Sequence, residues 1–279
     1  MGIGLFSGFG AYTLTYPFEF LKTKIFLHNE GIGIRQKGIH MGYSYVKVGM
    51  NLLKNGYGFS TFYTGYAASI GARMQFLFVR NCVYRFLYDR FKPQKWNNDL
   101  LYYEKGIISG ISGIIGTLFS NSLMTKAVLQ IGDVGRKEQF KRLETDFKGN
   151  KGLLANVVRA GLLNTFLIFP YNVMNEKLYV TFGDVFTNRW IAAFIASVVA
   201  TAISLPFDQI RTRLQYFSSD KARNRMNYRN TLHCANVMFA NEGWKSFYAG
   251  AQVATMHMFI YTMCTIYFCD VFFENMKPK

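Results

Sequence analysis

Apolar residues in this chain gather into six long stretches, at about 3–27, 64–91, 104–131, 153–183, 185–217 and 249–275. Each is long enough to cross a bilayer as a helix, which takes about 20 residues, or more when tilted. None is a uniformly apolar block. Lys22 and Lys24, Arg80, Lys126, Arg159, and Arg211 and Arg213 lie inside these stretches or near their ends. An isolated charge is costly in hydrocarbon, so intramembrane charges turn toward a bundle interior or a water-filled cavity. The pattern therefore predicts a polyhelical transporter or channel rather than a membrane anchor. The connectors follow a pattern as well. Those after the odd stretches, about 28–62, 132–152 and 218–248, are polar and basic, whereas those after the even ones, 92–103 and about 184, are short. The stretches come in pairs, and the pair occurs three times.

The repeat is visible residue by residue. Residues 58–65 read Gly-Phe-Ser-Thr-Phe-Tyr-Thr-Gly, and residues 243–250 read Gly-Trp-Lys-Ser-Phe-Tyr-Ala-Gly. Upstream, Pro17-Phe18-Glu19-Phe20-Leu21-Lys22-Thr23-Lys24 matches Pro206-Phe207-Asp208-Gln209-Ile210-Arg211-Thr212-Arg213. A middle copy is expected between them and is degenerate, running from Asn121 to Gln130 through Lys126. Small residues recur every four positions on the odd stretches: Gly4 and Gly8; Ser109, Gly113 and Thr117; Ala192, Ala196 and Ala200. Such spacing lets membrane helices approach closely.

The block from Pro206 to Gln215 matches the pattern P-x-D/E-x-x-K/R-x-K/R-x-Q in full, and Pro17 to Lys24 is a second copy with Phe26 in the glutamine's place. By this motif and its three-repeat layout the chain resembles the mitochondrial carrier family over its whole length. Within that family the even stretches look most like the oxoglutarate/malate type, on Phe62-Tyr63-Thr64-Gly65 followed by Arg80, and on Arg159-Ala160 followed by Asn164 and Tyr171. The resemblance implies an all-α membrane protein of six transmembrane helices with pseudo-threefold symmetry and short amphipathic helices on the matrix side. It implies one carrier domain over 1–279, with repeats at 1–97, 98–184 and 185–279. It also implies the mitochondrial inner membrane, with both termini in the intermembrane space.

The signature has a physical logic. Proline kinks each odd helix, and the acid and base after it lie about one turn apart on one face. The resemblance implies a matrix gate in which the acid of one repeat meets the base of the next. Glu19 would then pair with Lys126, and Asp208 with Lys22. The third pair fails, because Arg211 would face position 123, which is Leu123. Asn121 stands where the second proline is expected, and only Gln130 and Gln215 remain as braces of the gate. The opposite gate, which the family builds from an aromatic, an acid and a base on even helices, is poorer still. Tyr84 is followed by Arg85, Tyr171-Asn172-Val173-Met174-Asn175 is neutral, and Phe268-Cys269 precedes a lone acid, Asp270.

The central site is altered too. In anion-exchanging relatives an arginine follows the glycine of Tyr-x-Gly by seven residues; here that place is Ala72, with Arg73 next to it. One residue is about 100° around a helix, so the sequence expects Arg73 to face away from the cavity. The equivalent place on the sixth helix is His257. Arg80 and Arg159 fit the pattern best, and two arginines suffice to hold a dicarboxylate. Gly65 and Gly250 open even helices, where free backbone N–H groups attract phosphate; the resemblance implies cardiolipin there.

Composition narrows the partners. Half of the 279 residues are hydrophobic, 17% are aromatic and 17% are charged, against about 25% charged in soluble domains. So much apolar surface excludes a disordered chain. The net charge of +16 suits nucleic acid or anionic lipid. The bases flank apolar stretches rather than forming polar patches, which favours anionic lipid and excludes nucleic acid. Cys82, Cys234, Cys264 and Cys269 form no CxxC pair and read as small buried hydrophobes rather than a disulfide framework. His233 beside Cys234 has no second pair to complete a zinc site. No GxSxG, P-loop or HExxH occurs, so neither an enzyme nor a cofactor is expected. Apolar sequence starts at Ile3 without a basic segment before it, so targeting is expected to be internal.

Two functions compete on this reading. An antiporter of an organic anion would explain Arg80, Arg159 and the two matrix pairs. A transport-impaired carrier, serving as a structural subunit of a larger inner-membrane assembly such as a respiratory complex, would explain the degenerate middle repeat, Ala72 and the eroded outer gate. The second is preferred.

Overall fold

The computed structural model describes residues 2–28, 58–92, 100–133, 152–183, 186–217 and 228–275. Among them are seven α-helices: α1 Gly2–His28, α2 Tyr66–Phe91, α3 Tyr102–Asp133, α4 Leu153–Phe182, α5 Phe186–Phe217, α6 Thr231–Glu242 and α7 Ala251–Asn275. Six of them, all but α6, coincide within a few residues with the six apolar stretches. The fold is all-helical. The short helix expected on the last basic connector is α6, 12 residues long. The connectors 29–57, 134–151 and 218–227 lie outside the described residues, as does any short helix expected on the first two.

The six long helices form a ring in chain order. Each packs on the next, α7 closes the ring against α1, and α1, α3 and α5 also touch one another. All six are long enough to span hydrocarbon. By length and composition together, three are also apolar enough: α3 over Tyr102–Gly132, α4 over Leu153–Phe182 and α5 over Thr187–Phe217. The sequence expected all six to qualify. The polar content of α2, which carries Arg73, Arg80, Arg85, Asp89 and Arg90, shows why hydropathy alone does not mark it.

The small-residue stripes sit at helix contacts. Ala192, Ala196 and Ala200 are fully buried, as are Ser109 and Thr117 to within a few per cent. A side chain at Gly113 would meet Asn164 and the backbone of Ala160 on α4, and one at Gly8 would meet Leu77 on α2. With no hydrophobic force between helices in lipid, such close approach supplies the packing energy. Prolines lie inside three helices, Pro17 in α1, Pro170 in α4 and Pro206 in α5. Helix α3, with Asn121 in the signature position, has none.

The repeated sequence block is a repeated conformation. Phe59–Tyr63 and Trp244–Tyr248 each form one 3-10 turn, followed by a left-handed glycine, Gly65 at φ 80° and Gly250 at φ 79°. Only glycine adopts that conformation without strain. It turns the chain sharply into α2 and α7, which start at the next residue. Beneath α6, Cys234 and Met238 join Tyr216, Phe217 and Tyr228 in an apolar cluster with Val128, Ala155, Ile210 and Leu214. This cluster seals the end of the bundle where the odd helices finish. Cys234 is fully buried there, as expected, while Cys82, Cys264 and Cys269 are only partly buried.

Candidate functional site

The charged residues of the two signature copies meet just inside that sealed end. On α1, Lys22 lies 3.2 Å from Glu19, one turn away; on α5, Arg211 lies 3.1 Å from Asp208, again one turn away. Across the bundle, Lys22 Nζ donates to Asp208 Oδ2 at 3.0 Å. This joins the first repeat to the third, as the signature spacing requires. Helix α4 adds Arg159, whose Nε is 2.7 Å from Asp208 Oδ1. Asp208 thus gathers cations from α1, α4 and α5. Side chains of Lys22, Asp208 and Arg211 are 5% exposed or less. In so little water, removing one partner strands the others as uncompensated charge.

Two features depart from the expected gate. Among the described residues, the ion-pair partner of Glu19 is Lys22, and the His257 imidazole lies beside it with Nδ1 3.3 Å away. Lys126, expected in that role, sits on the exposed side of α3. Second, Arg211, for which no acid was expected, takes Asp208 on its own helix and donates Nη1 to Asn156 Oδ1 at 3.3 Å. Of the two glutamines, Gln215 is fully buried and donates Nε2 to Asn121 Oδ1 at 3.2 Å. Gln130 packs beside Gly65 at the start of α2.

Above this closure lies a basic cavity lined by Arg73, Arg80 and Arg159, with Glu19, His257 and Asn164. Arg80 donates Nη1 to Asn164 Oδ1 at 3.3 Å and Nη2 to Asn81 Oδ1 at 3.1 Å. His257 stacks on Tyr261 with ring centres 6.4 Å apart. Arg73 corrects the sequence reading. It faces the cavity, its guanidinium 4.4 Å from the Tyr261 ring, 5.4 Å from Tyr12 and 5.9 Å from Phe76. The face is set by Arg80, seven residues and two turns further along α2, rather than by counting from Gly65. Ala72 is fully buried against the neighbouring helices. The seven-residue spacing of Arg73 and Arg80 was the signal that the motif count obscured. The cavity holds three arginines with one facing carboxylate, an environment that attracts anions.

The opposite end is closed differently. Asp270 on α7 pairs with Arg189 on α5 at 3.1 Å, and both side chains are more than a third exposed. The sequence had given Asp270 no partner, because Arg189 lies at the start of an odd helix, outside the even-helix motif. Tyr84 stacks on Tyr88, and Arg85 is exposed. The pair at this end is worth little in water.

The family model described as mitochondrial carrier protein matches residues 1–95 and 183–279, more than half of the chain. A "probable mitochondrial 2-oxoglutarate/malate carrier protein" of Dictyostelium discoideum is 24% identical over 96% of this chain and 86% of its own. A "putative mitochondrial transporter UCP3" of Mus musculus is 34% identical over 36% of this chain and 31% of its own. The macronuclear solute carrier homolog CR-MSC of Oxytricha fallax is 20% identical over 95% of this chain and 76% of its own. Proteins of this kind are multi-pass transporters of the inner membrane rather than enzymes. Ring topology, the paired signature copies and these matches converge: the chain belongs to the mitochondrial carrier family.

Proposed function

We propose that this chain is a carrier-fold protein of the inner membrane whose two ends no longer alternate, and that it serves as a structural subunit of a larger inner-membrane assembly such as a respiratory complex. Alternating access depends on two closures of comparable strength around a central site. The observation that carries the reading is their inequality. One end holds a buried cluster in which Asp208 meets Lys22, Arg159 and Arg211. Among the described residues, the other holds one half-exposed ion pair, Arg189–Asp270. Arg159, one of the two arginines that fit the substrate pattern best, is bound into the closure instead. On this reading Glu19, Lys22, Asp208, Arg211 and the brace Gln215 form a permanent matrix-side closure, and both termini face the intermembrane space. Cardiolipin would dock at the helix starts after Gly65 and Gly250.

A second reading rests on the cavity. Arg73 and Arg80 project into it together with His257, and the similarity to the Dictyostelium protein supports an exchanged dicarboxylate such as oxoglutarate or malate. Proteoliposomes loaded with malate and given labelled oxoglutarate separate the two. The structural reading expects no exchange above protein-free vesicles. Exchange at carrier rates that is lost in Arg80→Ala would establish the second reading instead.

A further inference from the structure

Where the carrier pattern requires a third ion pair, this chain builds a junction of neutral amides. Asn121 on α3 takes the place of the missing proline, and its Oδ1 accepts from Asn156 Nδ2 at 2.9 Å and from Gln215 Nε2 at 3.2 Å. Asn156 on α4 accepts in turn from Arg211 on α5. All four side chains belong to residues 2% exposed or less. Asn156 lies one turn before Arg159, so one face of α4 reaches α3 through the amide and α5 through the arginine. The start of α4 is also pressed directly onto α5. A side chain at Gly152 would meet the Arg211 carbonyl at 3.2 Å, the Gln215 stem at 3.3 Å and Leu214 at 3.4 Å.

We propose that this junction is a lock that fixes α4 to α3 and α5, so that the second and third repeats form one body at the closed end. Signature-type closures join odd helices alone, which lets the even helices swing with their own repeats. Here an even helix is tied to α3 of its own repeat through Asn156–Asn121 and across the repeat boundary to α5 through Arg211–Asn156 and Arg159–Asp208. The lock follows from the contacts themselves and holds whichever function the chain performs.

The test exploits the single acceptor. Asn121→Leu removes the oxygen and strands two buried donors, whereas Asn121→Asp keeps the shape and accepts both. Backbone hydrogen exchange is followed on full-length protein in lipid nanodiscs. In Asn121→Leu, exchange is expected to quicken at least about tenfold not only around residue 121 but across 153–160 of α4 and 208–217 of α5. In Asn121→Asp it should stay within about threefold of the native protein. Acceleration confined to α3, or equal behaviour of the two variants, would overturn the lock. Should Asn121→Leu not fold, Gln215→Leu removes one donor and is held to the same criterion, with residues 153–160 of α4 as the readout.

Discussion

Asp208 answers to three cations, and this is the most demanding position in the molecule. Lys22, Arg159 and Arg211 each lie within about 3 Å of its carboxylate, and none of the four is well solvated. Asp208→Asn leaves three buried charges facing one another and should cost about 3–5 kcal/mol. Glu19→Gln should cost less, because its side chain is 12% exposed and, among the described residues, Lys22 is its ion-pair partner. Thermal unfolding in mild detergent checks the order: a midpoint for Asp208→Asn no lower than that for Glu19→Gln would contradict the hub. Arg73 gives a second residue-scale expectation. Its three aromatic neighbours belong to α1, α2 and α7, so Arg73→Gln removes a cation held between helices and should destabilise by about 1–2 kcal/mol. The same unfolding measurement reads it, with Arg85→Gln, an exposed arginine of the same helix, as the control that should not move.

At the scale of elements, the last turn of α3 is tied to both of the other odd helices. The Gly132 carbonyl accepts from Lys24 Nζ of α1 at 3.2 Å and from the Tyr216 hydroxyl of α5 at 3.3 Å, and the Tyr216 ring covers the glycine itself. Gly132→Ala should therefore push α5 away and cost about 1–3 kcal/mol. Gly58→Ala, where a new methyl would meet only the Ser60 hydroxyl, should be near neutral by the same unfolding assay. The helices themselves were legible in the sequence, since apolar stretches and basic connectors locate each to within a few residues. So was the Lys22–Asp208 contact, because Lys22 and Asp208 occupy the base and acid places of two copies of one signature, each counted from a helix proline. The amide junction was not legible. Asn121 could be read as a lost proline, but its partner Asn156 comes from a helix whose sequence carries no motif at that point. The facing of Arg73 was misread for a related reason: the motif fixed the count, whereas the helix period relative to Arg80 fixed the face.

For the whole molecule, the contrast between ends is the governing feature. One end is sealed by an ion cluster, an amide junction and the apolar layer under α6; the other shows, among the described residues, one half-exposed ion pair. A carrier that cycles must break each closure in turn at similar cost, and these closures are far from similar. A protein held in one conformation can instead supply surface to neighbours, and its bundle exposes large aromatics such as Phe6, Phe78, Phe86, Phe119 and Trp190. Lipid or protein can cover such residues, so the surface by itself does not choose between them. The choice lies in how the native protein migrates. Mitochondria solubilised in mild detergent, run on a native gel and blotted for this chain, test the account most directly. Comigration with a respiratory complex that survives a salt wash is the expected result. Migration as a small free species, together with oxoglutarate–malate exchange in proteoliposomes, would contradict it and identify a working carrier.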